Sequence, residues 1–181
     1  MAMNQLSRTS MPRHEIDKTI SIREARLEDL PEASRLTIAV FKQTVAPLFE
    51  PEGIRNFLAY AALDAWIERH RSGQQTWLAL KGEHVIGVLQ VRDGSHLSLF
   101  FVERRQQRHG IGRALIMTAI KALGVNRLTV NSSPNSVDAY RRLGFEPVGP
   151  EDTKSGIRYT PMESIIAAPP TSGARRKTER R

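Results

Sequence analysis

The stretch from His96 to Leu123 constrains the fold more than any other part of this chain. His96-Leu97-Ser98-Leu99-Phe100-Phe101-Val102 has the apolar density of a sheet strand. Ile111, Leu115, Thr118, Ala119 and Ala122 fall on one stripe of a helix that ends near Gly124. Between them lies Gln107-Arg108-His109-Gly110-Ile111-Gly112-Arg113. The first turn of a helix has unpaired N–H groups and a partial positive charge, and glycine lets an anion approach that backbone closely. The loop is therefore a candidate phosphate cradle, with Arg108 and Arg113 flanking it as charged donors. A plain tight turn would use the same residues. Two common phosphate motifs are excluded. A P-loop requires Gly-Lys-Ser/Thr, whereas Arg113 and Ala114 follow Gly112. A dinucleotide fingerprint requires Gly or Ala where Leu115 stands, and an early strand–helix–strand unit where this chain has a hairpin.

Upstream, Thr19-Ile20-Ser21-Ile22-Arg23 alternates like a half-buried strand. Asp29 is placed to cap a helix opening at Leu30-Pro31 and stopping before Pro47. Glu52-Gly53-Ile54 opens a second helical stretch through Ile67, closing at Ser72-Gly73. Gln75–Leu80 and Val85–Val91 read as a hairpin around Lys81-Gly82-Glu83-His84. Downstream, residues 126–131 form a strand. Ser133 is expected to cap a short helix that has Pro134 at its first position and runs to Leu143. Residues 145–148 and 157–162 are the last two strands. The pattern is that of one mixed α/β domain over residues 19–166, with residues 1–18 a flexible leading segment and 167–181 a tail.

The tail holds Arg175, Arg176, Lys177, Arg180 and Arg181 against Glu179, half of the chain's net charge of +8. Led by Pro, Ser and Gly without periodicity, it reads as disordered. Such a tail can touch nucleic acid without specificity, so a basic nucleic-acid-binding protein is the alternative to an enzyme. The chain has no cysteine, which excludes thiolate chemistry, and His14, His70, His84 and His109 lack ligand spacing, so no metal is expected. No apolar run approaches a membrane span and no secretory signal opens the chain. A cytoplasmic protein without membrane association is the expectation.

Three elements in order carry a resemblance. Gln107, Gly110 and Gly112 match Gln/Arg-x-x-Gly-x-Gly/Ala, Val102 closes the strand five residues earlier, and Tyr140-Arg141-Arg142-Leu143-Gly144-Phe145 matches Tyr-x-x-x-Gly-Phe. Together these resemble the GCN5-related N-acetyltransferase (GNAT) superfamily, over residues 20–162. The chain departs from the pattern at Ser133 and Ser136, where relatives carry Asn and Ala, and at Arg104, where Pro is common.

The resemblance implies an acyl-CoA N-acyltransferase fold: a mixed, mainly antiparallel sheet splayed at the cofactor site and flanked by helices. It implies acetyl-CoA as cofactor. The pyrophosphate would rest on the backbone of Arg108, His109, Gly110, Ile111, Gly112 and Arg113 beside Gln107, and the pantetheine along Phe100, Phe101 and Val102. Asn131 or Asn135 would replace the missing asparagine. Tyr140 would protonate the leaving thiolate or else only pack beneath the cofactor. His96 takes the place of a glutamate base in the histone-acetylating branch, with Glu103 the second candidate. On the strand, His96 shares a face with Ser98, Phe100 and Val102, opposite Leu97, Leu99 and Phe101. Phe41, Phe57, Tyr60 and Trp66 would line the acceptor pocket unless they belong to the core, with Glu50 and Glu52 attracting an amine cation. The expected activity is acetyl transfer to a primary amine of a small-molecule or peptide acceptor in a ternary complex. Relatives often form homodimers.

Overall fold

In the computed structural model, residues 17–165 are described. Of the leading segment 1–18 only Asp17 and Lys18 are thus described, and the tail 167–181 lies wholly outside the described residues. The elements are β1 (Ile20–Glu24), α1 (Leu30–Thr44), α2 (Pro51–Ala61), α3 (Leu63–Arg71), β2 (Gln75–Lys81), β3 (His84–Arg92), β4 (His96–Val102), α4 (Ile111–Leu123), β5 (Arg127–Ser132), α5 (Val137–Arg142), β6 (Glu146–Pro147), β7 (Asp152–Lys154) and β8 (Ile157–Ile165). The strands form one sheet in the order β1-β2-β3-β4-β5-β8-β6, with β7 alongside β8. All pairs are antiparallel except β4 with β5, which α4 connects as a crossover. Among the described residues, no helix is long and apolar enough to cross a membrane.

Two apolar layers cover the sheet. On one face Ile111, Leu115, Ile116 and Ala119 of α4, with Tyr140 of α5, pack on Trp77, Leu89, Leu97, Leu128 and Val130. On the other, Leu30 and Ala33 of α1 and Trp66 of α3 pack on Leu78, Val88 and Leu99.

Several local expectations are corrected. Asp29 does not cap α1 with its side chain. Its carboxylate accepts the Arg26 N–H at 2.7 Å and both ends of the Arg23 guanidinium, at 2.7 and 2.8 Å, and Arg23 holds its pKa below the usual range. The single second helix is two, because Ala62 turns extended between α2 and α3. Ser133 stands at the N-cap of a 3-10 turn that opens with Pro134 ahead of α5, but its hydroxyl bonds Asn135 Oδ1 and Ser136 Oγ rather than a backbone N–H. The strand expected over residues 145–148 shrinks to Glu146–Pro147, and the exposed β7 has no apolar alternation to announce it.

Candidate active site

β4 and β5 pair at His96↔Thr129 and Leu97↔Val130, and then the sheet opens. The edge left on β4 can be read from its other side. Glu103 N–H donates to Ile86 carbonyl at 2.8 Å, so by antiparallel alternation Phe101 also faces β3. The N–H and C=O groups of Phe100 and Val102 therefore turn toward the opening. The Val102 carbonyl is taken by Gln107 Nε2 at 3.0 Å, which ties the loop to the strand end. What remains is a short backbone edge suited to an amide-bearing chain.

At the open end of β4 the chain turns through Arg108 (φ 66°) and Gly110 (φ 79°), both left-handed, and enters α4. Ala114 N–H donates to the Gly110 carbonyl at 3.0 Å. The preceding first-turn N–H groups of Ile111, Gly112 and Arg113 lie at the positive end of the helix dipole. Gln107, Arg108, His109 and Arg113 are exposed around it. Gly112 packs against the Phe100 ring, where an added Cβ would meet Cζ at 3.0 Å. Phe100 in turn lies 5.9 Å from the Tyr140 ring, itself edge-on to Phe145 at 5.3 Å. Tyr140 is 8% exposed, and burial pushes its phenol well above the ordinary value.

A bulge in β4 changes which residues share a face. Gln90 pairs with Leu99 and Val91 with Leu97, leaving Ser98 as the extra residue. Leu97 therefore joins Phe100 and Val102 on the α4 face, while Leu99 and Phe101 pack on the α1–α3 face. The expectation that His96 shares a face with Phe100 and Val102 is thus corrected. His96 Nδ1 lies 2.9 Å from Thr129 Oγ1, and Thr129 points away from the α4 face that holds Leu128 and Val130. Burial, then the Arg92 charge, lowers the His96 pKa from its ordinary value, against an opposing pull from Asp93.

The remaining candidates separate. Glu103 lines a cleft of about 360 Å³ with Glu32, Leu36, Lys81, His84 and Gln106. Six residue steps along the strand, roughly 20 Å, separate it from the seam at Leu97. Asn131 is exposed on β5 beyond the seam, whereas Asn135 Nδ2 is committed to the Thr44 carbonyl at 2.7 Å. Trp66 and Phe41 are both 0% exposed, so they are core side chains rather than pocket walls. The Tyr60 ring is covered by the Arg69 guanidinium at 3.9 Å. Phe57 stays partly exposed, stacked on Phe41 at 3.8 Å and edge-on to Phe101 at 5.7 Å.

Features the sequence did not signal complete the site. Gly53 of α2 packs directly on the Gly156 backbone in the β7–β8 turn, and Asn56 Nδ2 donates to Ser155 carbonyl at 3.0 Å. With its N-terminal end on that turn and Phe57 on Phe101 of β4, α2 roofs the opened sheet. A second bridge is the Asn135–Thr44 bond. Beneath α3, Arg69 Nε donates to Gln90 Oε1 at 2.9 Å and Nη1 to Tyr60 carbonyl at 2.7 Å, while Ser98 Oγ bonds the Gln90 carbonyl at 3.3 Å. A helical glycine and an arginine on an apolar stripe were the available hints.

Residues 45–166 match the family model described as an acetyltransferase (GNAT) domain. None of the curated proteins matches the chain in sequence. Among solved structures, a GCN5-related N-acetyltransferase from Rhodopseudomonas palustris is 22% identical, with 85% of this chain and 100% of that one covered at a TM-score of 0.69. The PaiA N-acetyltransferase from Thermoplasma acidophilum, solved in complex with coenzyme A, is 19% identical over 81% and 99%, with a TM-score of 0.67. YjaB from Escherichia coli in its apo form is 20% identical over 82% and 99%, with a TM-score of 0.62. At these identities the likenesses establish the acyl-CoA N-acyltransferase fold, and the family match spans well over half of the sequence: the chain belongs to the GNAT acetyltransferase family.

Proposed function

We propose that this protein transfers the acetyl group of acetyl-CoA to a primary amine, with both substrates bound together. The parting of β4 from β5 beside the α4 N-terminus carries this reading. The residues present fit such a donor. First-turn N–H groups, left-handed Arg108 and Gly110, and nearby exposed arginines suit a diphosphate. The Phe100 and Val102 backbone suits pantetheine amides. Bound there, acetyl-CoA supplies a thioester already activated toward amines.

Three groups of this chain would then act. A backbone N–H of the β4 edge polarises the carbonyl oxygen as the amine nitrogen bonds to its carbon and the C–S bond breaks. His96, kept neutral by burial, takes the amine proton at Nε2 in the tautomer that donates Nδ1–H to Thr129. Tyr140, kept protonated by its raised pKa, delivers a proton to the thiolate from the α4 side. Base and acid thus approach from opposite faces of the opened sheet.

The test is thiol release from acetyl-CoA over a panel of amines, paired with thermal unfolding. Amine-dependent release of free CoA, with acetyl-CoA raising Tm, is the expected result. No Tm shift at millimolar acetyl-CoA and no release with any amine would overturn the proposal.

A further inference from the structure

We infer that the acceptor is a monoamine carried on an aromatic body, seated on the Phe49–Phe57–Phe101 row under α2. This rests on the acetyl-transfer reading and names its substrate class. The row is continuous: Phe49 meets Phe41 edge-on at 5.9 Å, Phe41 stacks on Phe57 at 3.8 Å, and Phe57 meets Phe101 edge-on at 5.7 Å. Phe41 is wholly buried and serves as the backing, while Phe49, Phe57 and Phe101 each keep partly exposed surface. Its inner end is Phe101 of β4, next to the Phe100 backbone that faces the opening. The bulge at Ser98 puts His96 on the same face as Phe101. An amine at the seam would therefore leave its substituent lying toward the rings.

Charge argues for the same class. The three rings offer no carboxylate to an acceptor, and the acidic groups close to the row in sequence, Glu50 and Glu52, stand exposed at the outer end of α2. They can draw in a single cation from solvent. A polyamine or aminoglycoside would have to bring further strongly hydrated ammonium groups against the rings, whose faces repay only part of the desolvation cost. An aryl ring gains offset or edge-on contacts there instead.

The experiment compares phenethylamine with spermidine and kanamycin, using full-length protein. Phenethylamine is expected to show kcat/KM at least about tenfold above the polycations, since one well-packed ring contributes on that order. It is also expected to raise the Tm of the CoA-saturated protein, where spermidine does not. Phe57→Leu and Phe101→Leu keep apolar bulk for folding; each should raise KM for phenethylamine several-fold while KM for acetyl-CoA stays put. Better turnover of spermidine or kanamycin, or unchanged phenethylamine KM in both variants, overturns the aromatic-acceptor inference alone. Loss of the acetyl-CoA Tm shift and of all CoA release would instead overturn the transferase reading beneath it.

Discussion

His96 Nδ1 and Thr129 Oγ1 lie 2.9 Å apart, a side-chain hydrogen bond laid across the seam where β4 last touches β5. Because burial keeps the imidazole neutral, the unfolded chain binds the proton more readily than the folded one. The sign follows from linkage: stability is full above the unfolded pKa near 6.5 and declines as pH falls through the lowered folded value. Urea unfolding at pH 5 and pH 7.5 should show this loss in the native chain and less of it in His96→Gln. In activity, His96→Gln should lower kcat/KM by about 10²-fold or more and remove the acid limb of its pH profile. An unaltered profile would assign proton removal elsewhere.

Tyr140→Phe keeps the ring that packs on Phe100 and Phe145 and deletes only the hydroxyl. We expect kcat to fall by at least about tenfold, with KM for acetyl-CoA nearly unchanged. Steady-state kinetics over both substrates separates these terms. An unchanged kcat would make Tyr140 a packing residue.

Gly110 opens α4 at φ 79°, where a Cβ costs about 1 kcal/mol or more. Gly110→Ala should therefore weaken acetyl-CoA binding about tenfold, measured by calorimetry, by tilting the first-turn N–H groups. Gly112→Ala instead presses on the Phe100 ring, so its effect depends on how far that ring yields.

Gly53→Ala drives a methyl into the Gly156 backbone, which cannot move aside as a side-chain tip would. We predict a loss of about 1–3 kcal/mol in stability, read by denaturant titration. Acceptor KM should rise while the acetyl-CoA Tm shift persists, because the roof is disturbed and the phosphate cradle is not.

Arg69 is 9% exposed and shares Gln90 Oε1 as its acceptor partner, while Gln90 Nε2 donates to Thr76 Oγ1 at 3.0 Å. Arg69→Ala leaves the Gln90 oxygen without that partner and opens space between Tyr60 and Trp66. A destabilisation of about 3 kcal/mol is expected by urea unfolding. Adding Gln90→Leu should recover part of it, since the orphaned amide goes too.

The sequence showed most plainly what is local. The strand–loop–helix run from His96 to Leu123 and the Tyr140–Phe145 turn declare themselves through spacing, and both lie where that spacing puts them. The bulge at Ser98 did not, because an extra residue in a ladder leaves no mark until the partner strand is known. That single residue decides which side of the sheet His96 serves. Trp66 and Phe41 looked like pocket walls because helical periodicity marks an apolar face without saying whether it ends in core or cleft. Thr129, Gly53 and Gly156 were invisible for a related reason: their roles exist only through partners distant in sequence.

Two residue pairs and a bond from Thr129 N–H to the Ser95 carbonyl join the strands β1–β4 to the strands β5–β8, so past Leu97 and Val130 the two facing edges have no ladder between them. The α2 roof and the Asn135–Thr44 tie bridge the opening, but neither replaces the missing ladder. An extended guest along Phe100 and Val102 would supply the backbone bonding the protein omits. Hydrogen exchange at the two facing edges should then slow together on loading.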